Sequence, residues 1–152
     1  MRRSDREISD RQAMEEIIRS AQVCRLGLVD DGCAYVVPLN FGYRSGTFYI
    51  HSARQGRKID LLSCSQRVCI EVDCGHELVT ADQPCDWGMR YASVIAFGRP
   101  RFIDDDQGKR DALAIIMDQY APGRTFEFSD AALAVTAVIA VDVDSMTGKR
   151  KA

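Results

Sequence analysis

The sequence predicts a mainly β protein: a six-stranded antiparallel sheet closed into a small barrel, with about three flanking helices. Runs with an apolar period of two follow one another from Gln22 to Ser52 with only short turns between them. Nothing between the first three runs is long enough for a crossover helix, which argues against a doubly wound parallel sheet. The longest strand-like run, Met89 to Ile103, is interrupted by Gly98 and Pro100, residues that let a strand bulge and turn a barrel corner.

Ser9 to Ala21 predicts the opening helix. Ser9 and Gln12 fit a capping box, and Met14, Ile17, Ile18 and Ala21 recur at helical spacing. Cys24, Leu26 and Leu28 then alternate as in a strand, and Asp30-Asp31-Gly32 is a turn signal. The next strand, Ala34 to Phe41, places Tyr35, Val37, Leu39 and Phe41 on one apolar, core-facing side. Arg44-Ser45-Gly46 reverses the chain and Thr47 to Ser52 returns antiparallel, completing a meander of three strands.

Gly56 to Cys64 reads as a short helix with Ile59, Leu61 and Leu62 toward the sheet. Val68, Ile70 and Val72 mark another strand, and Gly75 to Asp86 a long polar loop. Asp105 to Tyr120 is the second long amphipathic helix, with Leu113, Ile116, Met117 and Tyr120 on its stripe. Ala134 to Val143 is the last strand, and SMTGKRKA a polar tail.

The 152 residues are expected to form one domain, 1–152. A net charge of −2 supplies no basic field for nucleic acid. The charged start MRRSDREISD lacks the apolar core of a signal peptide, and no apolar run could span a bilayer. No membrane association and a cytoplasmic location are therefore expected. None of the six cysteines forms a C-x-x-C pair, and Cys74, His76 and Cys85 lack the paired spacing of a structural zinc site. Reduced thiols, mostly partly buried, are the expectation. G-x-S-x-G, P-loop and Rossmann signatures are absent.

The stretch Tyr35 to Lys58 carries the functional signal. Pro38 sits amid Val36, Val37 and Leu39, and a proline in a strand belongs at an edge or a bulge. Such an edge could seat a flat heteroaromatic ring, with backbone groups of Val37, Leu39 and Asn40 serving its polar rim. It could equally be an ordinary edge protected against aggregation. Arg54, Arg57 and Lys58 gather where a helix begins, although a helix N-terminus is already partially positive. Ser52 and these cations would converge on a phosphate or carboxylate; the other reading is that long basic side chains point into water, offset by Asp60. Strand alternation puts His51 and Ser52 on opposite faces.

In order along the chain, RRSDREI, YVVPLNFGY, FYIHSARQGRKIDLL, VCIEVD, CDWGMRYASVIAFGRPR and a late TGK resemble the flavin-binding split-barrel proteins related to pyridoxamine 5′-phosphate oxidase. The resemblance is strongest to the 5-nitroimidazole-resistance (Nim-type) branch. It implies a six-stranded split barrel that forms a homodimer with FMN at the subunit interface. It implies that Val36, Val37, Pro38, Leu39 and Asn40 lie along the isoalloxazine ring, and that His51, Ser52, Arg57 and Lys58 lie near the ribityl phosphate. Trp87, with Met89 and Tyr91, falls in the segment such proteins bring near the partner's flavin, and the histidine matching His51 is associated with the active site. The tail lacks the arginine-rich motif of the oxidase proper. The implied activity is FMN-dependent oxidoreduction between a small-molecule electron donor and acceptor, with nitro-aromatic compounds as candidate acceptors. A non-catalytic flavin or haem carrier on the same barrel is the alternative.

Overall fold

The computed structural model describes residues 4–151, so the Arg2-Arg3 part of the opening motif lies outside the described residues. The strands are β1 (Glu7–Ile8), β2 (Cys24–Asp30), β3 (Cys33–Leu39), β4 (Gly42–Arg44), β5 (Thr47–Ala53), β6 (Val68–Val79), β7 (Gly88–Ile103) and β8 (Thr136–Lys151). The helices are α1 (Arg11–Ser20), α2 (Arg57–Cys64), α3 (Asp106–Tyr120) and α4 (Asp130–Val135). All strand pairs are antiparallel, in the order β3-β2-β6-β7-β8-β5-β4, with β1 added alongside β8. The six long strands are those the sequence predicts; β1 and β4 are short additions. The path ends at β3 and β4 without closing, which leaves the barrel split along one seam. Leu26, Phe41, Phe48, Ile70, Val94 and Ile139 fill its interior.

Helix α1 is capped by Asp10, not Ser9: its carboxylate accepts from the N–H groups of Ala13 (3.0 Å) and Gln12 (3.4 Å). Aspartate here adds negative charge against the positive helix end, which a serine lacks.

The predicted three-stranded meander is not what forms. β2 and β3 make a tight hairpin through Asp31 and Gly32, at φ of 48° and 79°. β5, however, pairs with β4 and β8, not with β3. The cause lies in α3. The N–H of Phe41 donates to the Tyr120 hydroxyl (2.9 Å), and a Cβ on Gly42 would lie 2.6 Å from the carbonyl oxygen of Ile115. The helix therefore docks where a β3–β5 ladder would have continued. Because β3 is an edge, Tyr35, Val37 and Leu39 are only half-buried, and Phe41 alone of the predicted face is fully enclosed.

Gly98 does mark a bulge: the β7–β8 register shifts between Phe97 and Gly98, where a Cβ would meet the Asp142 carbonyl oxygen at 2.4 Å. Two segments expected to be irregular are strand. β6 continues through a shift between Cys74 and Glu77 to Val79, so the predicted loop shrinks to the stretch around Thr80–Trp87. The polar tail is the second half of β8, held by ladders to β7 and β1, while Ala134 and Val135 belong to α4. Gly148 lies so near α1 that a Cβ would come within 2.7 Å of Met14 Cγ. Strand pairing over this length outweighs the polar composition that predicts a tail.

The buried stripe of α3 is Lys109, Ala112, Ile115 and Ile116, rotated from the predicted Leu113, Ile116, Met117 and Tyr120. Lys109 is drawn in by α4, donating to the Leu133 carbonyl (3.2 Å). At the other end of α3, Gln119 Nε2 lies 3.0–3.1 Å from the carbonyl oxygens of Ile18, Arg19 and Ala21, at the C-terminus of α1. Gln119→Ala is expected to cost about 1–2 kcal/mol, read as a lower urea midpoint at unchanged slope. An unaltered midpoint would show that water satisfies these carbonyls equally well.

Candidate functional site at the barrel seam

The seam is bounded by the free edge of β3 on one side and, on the other, by β4 and the part of β5 that β4 leaves uncovered, which leads on to α2. Pro38 lies on that edge, where its missing N–H costs no ladder bond. Alternation sends Val36 and Pro38 outward while Val37 and Leu39 face the interior; Asn40, just beyond β3, is exposed. The segment thus presents an apolar outer surface, with Val36 58% exposed, beside unpaired edge backbone.

The three cations do not act as one cluster. Arg54 is drawn away and donates to the Ala134 carbonyl at the end of α4 (2.9 Å). Arg57 is held by Asp30, its Nε and a terminal nitrogen each 2.5 Å from one carboxylate oxygen, with its guanidinium 4.6 Å above the Tyr35 ring. The β2–β3 turn therefore fixes Arg57 at the mouth of the seam. Lys58 is half-buried and makes no hydrogen bond or ion pair among the described residues. Its pKa is held below the usual lysine value by burial, against a smaller opposing influence from Cys24. Cys24 pairs with Leu39 and is itself buried, which pushes its thiol up to about 12. Lys58 is thus close enough to both Cys24 on β2 and His51 on β5 to interact with them electrostatically.

His51 is exposed on the outer side of β5, and Ser52 is half-buried on the side of Phe48 and Ile50, as alternation predicts. Partial burial, and then the nearby Lys58 ammonium, hold the His51 pKa below its ordinary value. The unfolded chain therefore takes up this proton first as pH falls. His51 contributes stability above about pH 6.5 that is lost below it, as pH drops toward the folded pKa. Replacing His51 with Gln is expected to shrink the loss of Tm between pH 7 and pH 5; an identical loss would assign the acid sensitivity to other groups.

Helix α2 has Gly56 as its N-cap, with φ of 119° and no side-chain cap, and Lys58 lies in its first turn. A half-buried unbonded ammonium sits in the first turn of an uncapped helix, and Arg57 beside it reaches over Tyr35 of the apolar β3 edge. They fit a planar molecule ending in a phosphate or carboxylate.

Trp87 lies elsewhere. Glu77–Val79 and Gly88–Arg90 pair only with each other, past the last residues to which β2 and β8 are paired, and form a two-stranded ribbon. Trp87 stands at its end, donating from Nε1 to the Ala81 carbonyl (2.6 Å), in a part of the chain that pairs with neither β3 nor β5. His76, expected in a solvated loop, lies in β6 with Nε2 3.3 Å from Asp73. All six cysteines are free: Cys24 is buried, Cys69 and Cys74 are half-buried, and Cys33, Cys64 and Cys85 are exposed. Asp30, which the sequence marks only as part of a turn, orients Arg57 from 27 positions away, and only the hairpin fold joins them. No helix among the described residues is long and apolar enough to cross a membrane.

Comparison with known proteins matches this architecture. Residues 10–150 fit the family model described as pyridoxamine 5′-phosphate oxidase. A candidate 5-nitroimidazole antibiotic resistance protein from Bacteroides thetaiotaomicron is 43% identical, with 95% of this chain and 86% of that chain aligned and a TM-score of 0.85. The flavocytochrome Anf3 from Azotobacter vinelandii superposes over 100% of this chain and 72% of its own at 22% identity, with a TM-score of 0.87. An FAD- and haem-binding protein from Mycobacterium smegmatis does so over 96% and 73%, also at 22% identity and a TM-score of 0.87. The last two show a shared fold, one on which flavin-binding proteins are built. A search of curated proteins finds no match. With the split antiparallel barrel and the near-complete match of sequence to the family model, the chain belongs to the pyridoxamine 5′-phosphate oxidase family.

Proposed function

We propose that the chain is a flavin-dependent oxidoreductase that binds FMN along the seam, working as a homodimer and passing electrons from a small-molecule donor to a small acceptor, with nitro-aromatic compounds as the leading acceptor class. The observation that carries this reading is Lys58: a half-buried cation without a bonded partner among the described residues, in the first turn of the uncapped helix α2. Lys58, Ser52 and the remaining donors of Arg57 would hold the phosphate, while the β3 edge from Val36 to Asn40 would support the ring. Bound FMN supplies hydride and single-electron chemistry, so the protein needs only to position it and tune its surroundings. His51, kept neutral near pH 7, is the group at the seam able to hold or release a proton.

The homodimer reading rests on the ribbon, which exposes Leu78 (57%), Trp87 (50%) and Met89 (40%) together. A two-stranded ribbon is marginal by itself, and apolar residues at its end favour docking on a second copy. The 43% identity to the candidate resistance protein supports the choice of acceptor.

The deciding experiment is the visible spectrum of the protein as isolated, followed by anaerobic addition of NADH or NADPH and a nitroimidazole. A flavin spectrum that bleaches and is restored by the acceptor is expected. Colourless protein with a Tm indifferent to FMN would sink the cofactor assignment, and a haem band would favour the carrier. Bound flavin without turnover on a panel of acceptors would leave a binding protein.

A further inference from the structure

We infer that a second cleft on the outer face of the sheet, one strand away from the β3 edge, binds small aromatic carboxylates. It begins at the Gly98 bulge. That irregularity brings Arg99 beside Arg67, and both guanidinium groups approach one carboxylate oxygen of Asp144, at 3.7 and 3.6 Å. These separations exceed a hydrogen bond, so Asp144 holds the pair in place while most of their donors stay free. Two cations against one anion leave a net positive wall. Arg67 is further oriented by donating to Ser145 Oγ (3.1 Å) and by stacking 5.1 Å above the Phe97 ring.

Ser65, Gln66, Arg67, Arg99, Pro100 and Asp144 line an open cleft of about 720 Å³. Across Arg67 and Ser65 it adjoins a slot of about 410 Å³ whose other walls include Gly27, Val29, Cys69 and Phe97. Register explains the apolar floor: Gly27 pairs with Cys69, and Cys69 with Phe97, in one row across β2, β6 and β7. The missing side chain at Gly27 leaves the slot its depth. An apolar slot ending at paired guanidiniums fits a planar ring with a carboxylate, since arginine binds carboxylates through paired donors and stacks on flat groups. The row continues from Gly27 to Val36 on the β3 edge, so the slot abuts the surface proposed for the flavin ring; Lys58 does not line it, and the Lys58→Ala arm below separates the two readings.

Benzoate and acetate titrated into the purified protein, followed by backbone amide NMR shifts, test it. Benzoate is expected to perturb Cys69, Phe97 and Arg99 and to bind at least fivefold more tightly than acetate. Arg99→Gln, at a side chain 78% exposed and so without risk to folding, should raise the benzoate Kd at least fivefold. A Cβ at Gly27 would make ordinary contact with Cys69 Cβ, at 3.5 Å, so Gly27→Ala should fold. By filling the slot it should weaken benzoate while leaving acetate unchanged. No saturable shift, equal affinity for both anions, or binding abolished by Lys58→Ala and untouched by Arg99→Gln would overturn the inference.

Discussion

Lys58→Ala is expected to raise the Kd for FMN by about 10- to 100-fold, equivalent to about 1.4–2.7 kcal/mol. The magnitude follows from where the ammonium sits. It is half-buried and unbonded among the described residues, so a phosphate would meet a cation already stripped of part of its water. Arg57 cannot fully replace it, since Asp30 and Tyr35 already engage the guanidinium. The same substitution has a readout that needs no ligand. Lys58 helps to depress the His51 pKa, so its removal should move His51 back toward the ordinary histidine value in an NMR titration. Bound phosphate should move His51 the same way in the unaltered protein. If the Kd for FMN is unchanged while His51 shifts, the seam is correctly described but the phosphate lies elsewhere.

Gly42→Ala is expected to destabilise the protein by about 3 kcal/mol, out of all proportion to one methyl group. The new carbon would come within 2.7 Å of the Ile115 carbonyl carbon and the Ile116 Cα, all backbone of α3, which cannot rotate aside. Either α3 or the β4–β5 hairpin must move. Such movement also disturbs the Tyr120 hydroxyl, which accepts from Phe41 and donates to the Gln22 carbonyl (3.0 Å). Thermal and urea denaturation would measure the loss. A change under 1 kcal/mol would mean that α3 is free to shift and does not fix the end of β3.

The two substitutions probe one piece of design. α3 holds the chain just after β3 through Tyr120 and packs against β4, so it touches both strands that bound the seam. The stability of the α3–β4 contact and the shape of the binding edge are therefore linked, and Gly42→Ala should weaken FMN binding even where the protein stays folded.

Much of this was legible in the amino acids. Alternation marked all six long strands, the Asp31-Gly32 and Ser45-Gly46 turns announced their hairpins, and Gly98 announced the bulge, because these features depend on local backbone preferences. Pro38 correctly declared an edge, and the order of the motifs declared the family. Local pattern could not say which strand lies beside which: β5 pairs with β8, some 90 positions away, since α3 claims the place next to β4. It could not separate three neighbouring cations into a helix cap, a turn-held guanidinium and an unbonded ammonium, because Ala134 and Asp30 reach them only through the fold. The polar SMTGKRK segment read as tail, since composition reports solvent exposure while a ladder needs only backbone groups and a neighbour of matching length. Period and turn chemistry are written residue by residue; partners across the barrel exist only once the chain has closed on them.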